Sequence, residues 1–185
     1  IIVNVGEFDQ TTAESMHQAG ISGVYHAIRL REGINTRFRV EDRLKTLAAV
    51  KASPLNLSHL VEPVGPEHTY EEMAERFLCS LQYGAYISGI MARIPVKGTP
   101  LGEGERISDA EIAKLIAVLR LSGGHAVESI CVHPASELAI QSGANVAVIE
   151  RGAIPRDQKL ATSMWRQFDT TVARTLFTQN GFEIA

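Results

Sequence analysis

The residues best suited to chemistry are Arg29, Arg31, Glu32, Glu62, Glu67, His68, Arg93, Lys97, His133, Glu150, Arg151 and Arg156. Each follows, or closes, an apolar run that reads as a strand. If those strands are parallel, one rim gathers guanidinium, carboxylate and imidazole groups, a mixture suited to a zwitterionic ligand. Singly, each would be an ordinary solvated loop charge. Cys131 and His133 stand two positions apart, so in a strand they share a face. That pair could form a reactive thiolate, but a buried, inert cysteine is the commoner outcome. His17, His26, His59, His68, His125 and His133 show no H-E-x-x-H spacing, which leaves zinc hydrolysis without support. His26 and His59 fall inside strand runs and read as wall or interior histidines. There is no nucleophile elbow, Walker loop or G-x-G-x-x-G fingerprint.

The elements that must position these groups alternate along the chain. Periodicity predicts strands over 1–5, 23–30, 55–64, 86–94, 126–132 and 145–150. Helices are predicted over 11–19, 40–52 and 70–83, then from a start capped by Ser108 with Glu111, then over 134–142 and 169–180. Leu44, Leu47, Ala48 and Val50 would form the inner side of the second helix. Met73, Phe77, Leu78 and Leu81 would do so for the third, and Ile112, Leu115, Ile116 and Leu119 for the fourth. The run 95–102, PVKGTPLG, leaves the fourth strand abruptly. Its prolines remove donors and its glycines permit close backbone approach. Six strands alternating with six helices imply parallel βαβ units, either an open doubly wound sheet or a section of a (β/α)8 barrel.

With 185 residues, 45% hydrophobic and 21% charged, the chain can bury one sizeable core and reads as a single domain over 1–185. A net charge of −3 gives no reason to expect nucleic acid or an anionic membrane. Two cysteines, Cys79 and Cys131, make neither a disulfide framework nor a cysteine-rich metal site, and a reducing, cytoplasmic setting is expected. No apolar stretch approaches the ~20 residues needed to span a bilayer. The start on a strand without Met suggests a fragment or processed chain.

The order EPVGPEHTYEE (62–72), ARIPVKGTPL (92–101), a helix ending AVLRL, and VHPASELAIQSGAN (132–145) resembles radical S-adenosylmethionine enzymes of the biotin synthase group. The likeness extends over most of 1–156 and corresponds to the C-terminal three-quarters of those proteins. RIPVKGTPL, CVHP and GAIPRD look closest to the radical SAM protein of the iron-guanylylpyridinol cofactor pathway, which serves [Fe]-hydrogenase. The resemblance implies a partial (β/α)8 TIM-type barrel of about six parallel βα units.

It also implies roles. Gly65, in the turn VGPEHT, would lie beside the methionine and ribose portions of S-adenosylmethionine. His68 stands where the family usually has an acid. Arg43 resembles the arginine facing the cofactor carboxylate, and Glu32 is preferred as the ribose-binding acid. Ile94 would contact adenine through its backbone. Glu62, Met91, Arg93 and His133 are the expected substrate pocket. His133 lies near a cluster-ligand position of biotin synthase, but without neighbouring cysteines no second cluster is expected.

The family's three-cysteine loop, which holds a [4Fe–4S] cluster, is absent from this sequence, and neither Cys79 nor Cys131 can replace it. By strand count the chain would begin at the third of eight strands, so no metal is expected to be held here and no catalytic residue is assigned. The expectation is the C-terminal portion of a radical SAM enzyme of cofactor biosynthesis. When complete, it would generate a 5′-deoxyadenosyl radical for hydrogen abstraction from a small-molecule substrate, with an external electron donor. Two alternatives stand beside it. One is a non-catalytic α/β binding or scaffold module, pairing as a homodimer through an open barrel edge. The other is an aldolase-like barrel enzyme with Lys97 as a Schiff-base amine.

Overall fold

The computed structural model describes residues 1–149 and 168–184. Glu150, Arg151 and Arg156 lie outside the described residues, as does the end of the strand expected over 145–150.

The chain runs β1 (Ile2–Val3), α1 (Gln10–Gln18), β2 (Gly23–Tyr25), α2 (Val40–Lys51), β3 (Asn56–Ser58), β4 (Val61–Val64), α3 (Tyr70–Gln82), β5 (Ala85–Ala92), α4 (Asp109–Gly123), β6 (Ser129–His133), α5 (Glu137–Gln141), β7 (Val146–Ala147) and α6 (Thr170–Gln179). A short 3-10 turn, Gly124–Ala126, follows α4. All strand pairs are parallel, in the order β1-β2-β3-β5-β6-β7, with β4 also on β5. The sheet curls as part of a TIM-type barrel with helices on its convex side, as a chain of right-handed βα crossovers requires.

The third predicted strand, 55–64, is two strands rather than one. Its register against β5 shifts between Leu57 and Ser58 and again between Val61 and Val64. The ladder is interrupted at His59 and Leu60, where the His59 N–H still donates to the Ile87 carbonyl at 2.9 Å. The strand predicted over 23–30 stops at Tyr25, although the Leu30 N–H reaches the Glu62 carbonyl. The first strand is also less buried than expected: Ile1 is 81% and Ile2 48% exposed, because among the described residues β1 pairs on one side only.

Helix starts follow side-chain chemistry. Thr69 and Glu72 form a complete capping box on α3, satisfying two otherwise orphaned N–H groups. At α4 the Ser108 hydroxyl accepts from the Glu111 N–H at 3.2 Å. Asp9 and Asp169 cap α1 and α6. The predicted inner faces hold with two exceptions. Leu78 is 60% exposed, and Ala48 is exposed while Thr46 and Ala49 are buried. At 100° per residue Leu78 is rotated out beyond Phe77, and Ser80 turns in to share a hydrogen bond with Ser88.

Two clusters fill the space between sheet and helices. One joins Ala13, Val24, Leu47, Val50 and Leu57 beneath α1 and α2. The other joins Val61, Phe77, Ile90, Ile112, Ile116, Ile130 and Ile140 beneath α3, α4 and α5. Arg120 fastens the N-terminal end of this second half. Its guanidinium donates to the carbonyls of Gly143, Val127 and Glu128 and to Asn145 Oδ1, while Asn145 Oδ1 also accepts from the Ile130 N–H.

Candidate functional site

Strand alternation sorts the predicted residues by face. Val61, Val64, Ile90, Ala92, Ile130 and Val132 pack under the helices. Met91, Cys131 and His133 alternate with them and so face the concave side; Glu62 joins them although Val64, two positions on, packs under the helices, because the register shifts between Val61 and Val64. Tyr25 falls on that side too, and its hydroxyl donates to Glu62 Oε2. Arg29 Nε donates to Glu62 Oε1 at 3.3 Å. Burial raises the Glu62 pKa against the two bonds that lower it, and burial together with Glu62 pushes the Tyr25 phenol up. Burial also drives the Cys131 thiol up to about 12, so it is a neutral thiol, and lowers His133 to about 4. The pair predicted from spacing therefore shares a face but supplies no thiolate.

Beside this acid lies a cavity of about 270 Å³, open at the C-terminal ends of β1 and β2. Asn4 to Glu7 wall it from the loop after β1, Tyr25 to Ala27 with Arg29 from β2, and Phe38 and Arg43 from the entry to α2, with Glu62 on β4. Arg43 is held on three sides: Nη1 lies 3.2 Å from Glu7 Oε1, Nε 3.4 Å from Glu32 Oε2, and the guanidinium stacks 5.0 Å from the Phe38 ring centre. Glu32 is turned inward. Its Oε2 accepts from the Arg29 N–H at 3.0 Å and its Oε1 from the Thr36 hydroxyl at 3.1 Å. In this arrangement Glu32 shapes the loop and orients Arg43.

A second group occupies the turn after β4. The Gly65 N–H donates to His68 Nδ1 at 3.0 Å, which makes Nε2 the protonated nitrogen, 3.6 Å from Glu67 Oε1. Arg93 grips both Glu67 oxygens, with Nη2 to Oε2 at 3.0 Å. A Cβ on Gly65 would lie 2.5 Å from Glu67 Oε2 and 2.8 Å from Arg93 Cζ, so only glycine leaves room for that pair. Arg31, at φ 55°, reaches Glu72 at 2.7 Å and the Glu67 carbonyl at 2.6 Å. These bonds help hold a conformation that non-glycine residues seldom adopt. The hydrogen bonds from Arg31 and from the Thr69 N–H take Glu72 down to about 2.

Thus Glu62 and Arg43 meet at one cavity, Glu32 stands behind Arg43, and Gly65, His68 and Arg93 form a neighbouring cluster. Ile94 and Lys97 follow β5 at the same end, Lys97 exposed. Tyr25, Phe38, Glu7 and His26 were not among the predicted site residues. The signal that could have found Tyr25 is its position four residues before Arg29, within the strand predicted over 23–30.

This rim site on a curled parallel sheet defines a section of a (β/α) barrel with a polar ligand cavity. No family model matches the chain. Its sequence is 28% identical over 125 residues to the biotin synthase of Beijerinckia indica subsp. indica, covering 64% of this chain and 39% of that protein. It is 28% identical over 121 residues to the biotin synthase of Rippkaea orientalis, covering 63% of this chain and 33% of that one. The match therefore takes in little more than a third of the curated relatives' length. The crystal structure of methylornithine synthase superposes on 100% of this chain and 58% of its own, with a TM-score of 0.69 at 20% identity. A putative phosphonomutase from Burkholderia cenocepacia gives a TM-score of 0.53 at 18% identity, over 79% of this chain and 66% of its own. The chain is a partial barrel of this fold, similar to the radical SAM enzymes of the biotin synthase group.

Two groups implied by that similarity fit the residues differently. An iron–sulfur cluster does not fit: no three metal-ligating side chains converge among the described residues, and both cysteine thiols are raised by burial. S-adenosylmethionine does fit. The cavity is lined by the Arg43 guanidinium, the Glu7 and Glu62 carboxylates and a buried His26 Nε2 with no hydrogen-bond partner among the described residues, group types that suit a charged, zwitterionic molecule.

Proposed function

We propose that the chain is the cofactor-orienting part of a radical SAM enzyme of cofactor biosynthesis, with the cavity at β1, β2 and α2 as its S-adenosylmethionine pocket. The observation that carries this is Arg43, fixed by Glu7, Glu32 and Phe38 at the mouth of the cavity. Bound there, the sulfonium cofactor would supply radical chemistry; the cluster that reduces it would be held by cysteines outside these residues. The chain's own groups would do the positioning. The Arg43 fork would meet the carboxylate, since a planar guanidinium suits bidentate pairing. Glu7 and Glu62 would set a negative field beside the sulfonium. Gly65, with the Glu67–Arg93 pair folded over it, would shape the wall that the resemblance assigns to methionine and ribose, and the Ile94 backbone would take adenine. Met91 and His133, deeper on the concave face, would meet a small-molecule substrate.

The test is calorimetric titration of the chain with S-adenosyl-L-homocysteine. Binding that falls at least tenfold in Arg43→Ala, with the fold intact, supports the reading; unchanged binding removes it. After iron–sulfur reconstitution the chain alone is expected to show no cluster absorbance and no 5′-deoxyadenosine. Robust nucleoside production would overturn the assignment of the cluster to residues outside this chain.

A second reading has its own observation. The outer edge of β1 is unpaired among the described residues, and Ile1 and Ile2 beside it are largely exposed, features that favour association through a strand edge. Light scattering at high concentration distinguishes a homodimer from a monomer.

A further inference from the structure

The connection from β2 to α2 takes fourteen residues, 26–39. Strand-to-helix loops usually need about two to six, and much longer ones tend to carry a function. This one is locked from within. The Thr36 hydroxyl donates to Glu32 Oε1 at 3.1 Å and accepts from the Gly33 and Phe38 N–H groups, both at 3.3 Å, so its bonding capacity is used. The Ile34 and Asn35 N–H groups close onto the Arg31 carbonyl at 3.0 and 2.9 Å, and Arg31 is itself tied to Glu72. On that frame Ile34 stands 81% exposed. The exposed Arg37 guanidinium has no ion pair or hydrogen bond among the described residues. Arg39 is exposed too, with Glu41 at 3.6 Å and Asp42 at 3.9 Å neutralising it in part. Neither Ile34 nor Arg37 lines the cavity, so the ligand site does not account for them. Five arginines against three acids over 29–43 make this stretch locally positive in a chain of net charge −3.

We propose that the tip of this loop, Ile34 with Arg37 and Arg39, docks a short acidic segment of a partner protein. Carboxylates of the segment pair with the guanidiniums, and one aliphatic or aromatic side chain between them lies against Ile34. An exposed apolar residue beside an unpaired arginine is the composition of a contact centre, and a loop held rigid in advance loses little entropy on binding. A polyanion fits less well. The net charge of −3 repels it at long range, and two neighbouring arginines do not track a phosphate backbone or a lipid surface. The area is small, so the contact is transient and sensitive to salt. This inference stands apart from the cofactor reading and does not depend on it.

The experiment follows backbone amide NMR shifts of the full 185-residue chain as a peptide, acetyl-Glu-Asp-Leu-Phe-Glu-Asp-amide, is added. A peptide with lysines in place of the acids, phosphatidylglycerol vesicles and a DNA duplex are the comparison probes. The acidic peptide should shift amides over 33–39, and the lysine peptide should not. Affinity should fall about three- to tenfold as salt rises from about 50 to 300 mM. Arg37→Glu should weaken the acidic peptide about fivefold or more, and Ile34→Ser about threefold. Adding the lysine peptide to Arg37→Glu should restore shifts at the same amides, a recovery that a damaged fold would not give. No shift at about 1 mM acidic peptide, or shifts confined to residues outside the loop, overturns the proposal. Equal or stronger binding of the vesicles or the duplex at these amides overturns it as well, by making the surface a general anion site.

Discussion

Arg43 Nε lies 3.4 Å from Glu32 Oε2, and that carboxylate, fully shielded from solvent, is the inner wall behind the guanidinium. A buried charge left without its partner is costly, so Glu32→Ala should destabilise the chain by about 3 kcal/mol. Glu32→Gln, which keeps the acceptor for the Arg29 N–H, should cost less. Urea denaturation of the two variants measures the difference, and equal losses would contradict a charge-based role.

Glycine positions give a graded series. Gly89 has φ 143° and a Cβ there would collide with the Cys131 backbone, which cannot withdraw. Gly89→Ala should therefore prevent folding or cost about 3 kcal/mol or more. Gly65→Ala meets only side chains and should cost about 1–2 kcal/mol while displacing the Glu67–Arg93 pair. Gly84, at φ 71° with open space, should lose about 1 kcal/mol on the same change. Thermal melts of the three variants check the order.

Acid should destabilise the fold from near neutrality. His26, His59 and His133 are each lowered to about 4 by burial. Above pH ~6.5 these residues are neutral whether folded or unfolded and add no pH dependence. Between 6.5 and about 4 the unfolded chain binds protons that the folded chain refuses, so stability falls as pH falls. The effect levels off below about 4, when both states are protonated. Urea midpoints at pH 7.5, 5.5 and 4.5 should decline, and His59→Phe should flatten the decline.

The two cysteines should react in sequence. Cys131 is 2% exposed with its thiol near 12, while Cys79 is partly exposed. Iodoacetamide at pH 8 should modify Cys79 slowly and Cys131 only in urea. Mass spectrometry of the alkylated peptides reports this directly.

Much of the scaffold was readable because its signals are local. The alternation of apolar runs with 3.6-period segments specified the parallel βα order, and Thr69, Ser108 and Gly124 mark helix boundaries by capping chemistry or positive φ. The break at His59 and Leu60 was not readable, since 55–64 is continuously apolar enough for one strand and the interruption depends on pairing with β5. At the site, Arg43 and Glu62 were singled out from motif order, and both line the cavity. The Glu32–Arg43 pair, the Tyr25–Glu62 bond and the buried position of His26 against the cavity depend on contacts over 11 to 37 positions, which no short pattern encodes.

Arg120 and Asn145 gather carbonyl and amide groups at the opposite end of the sheet from Arg43 and His26. Because the two ends share no side chain, heat resistance and ligand preference can be adjusted by separate sets of substitutions. A designer could reinforce the floor around Asn145 before altering the mouth, and reserve that added stability for selectivity changes that would otherwise unfold the chain.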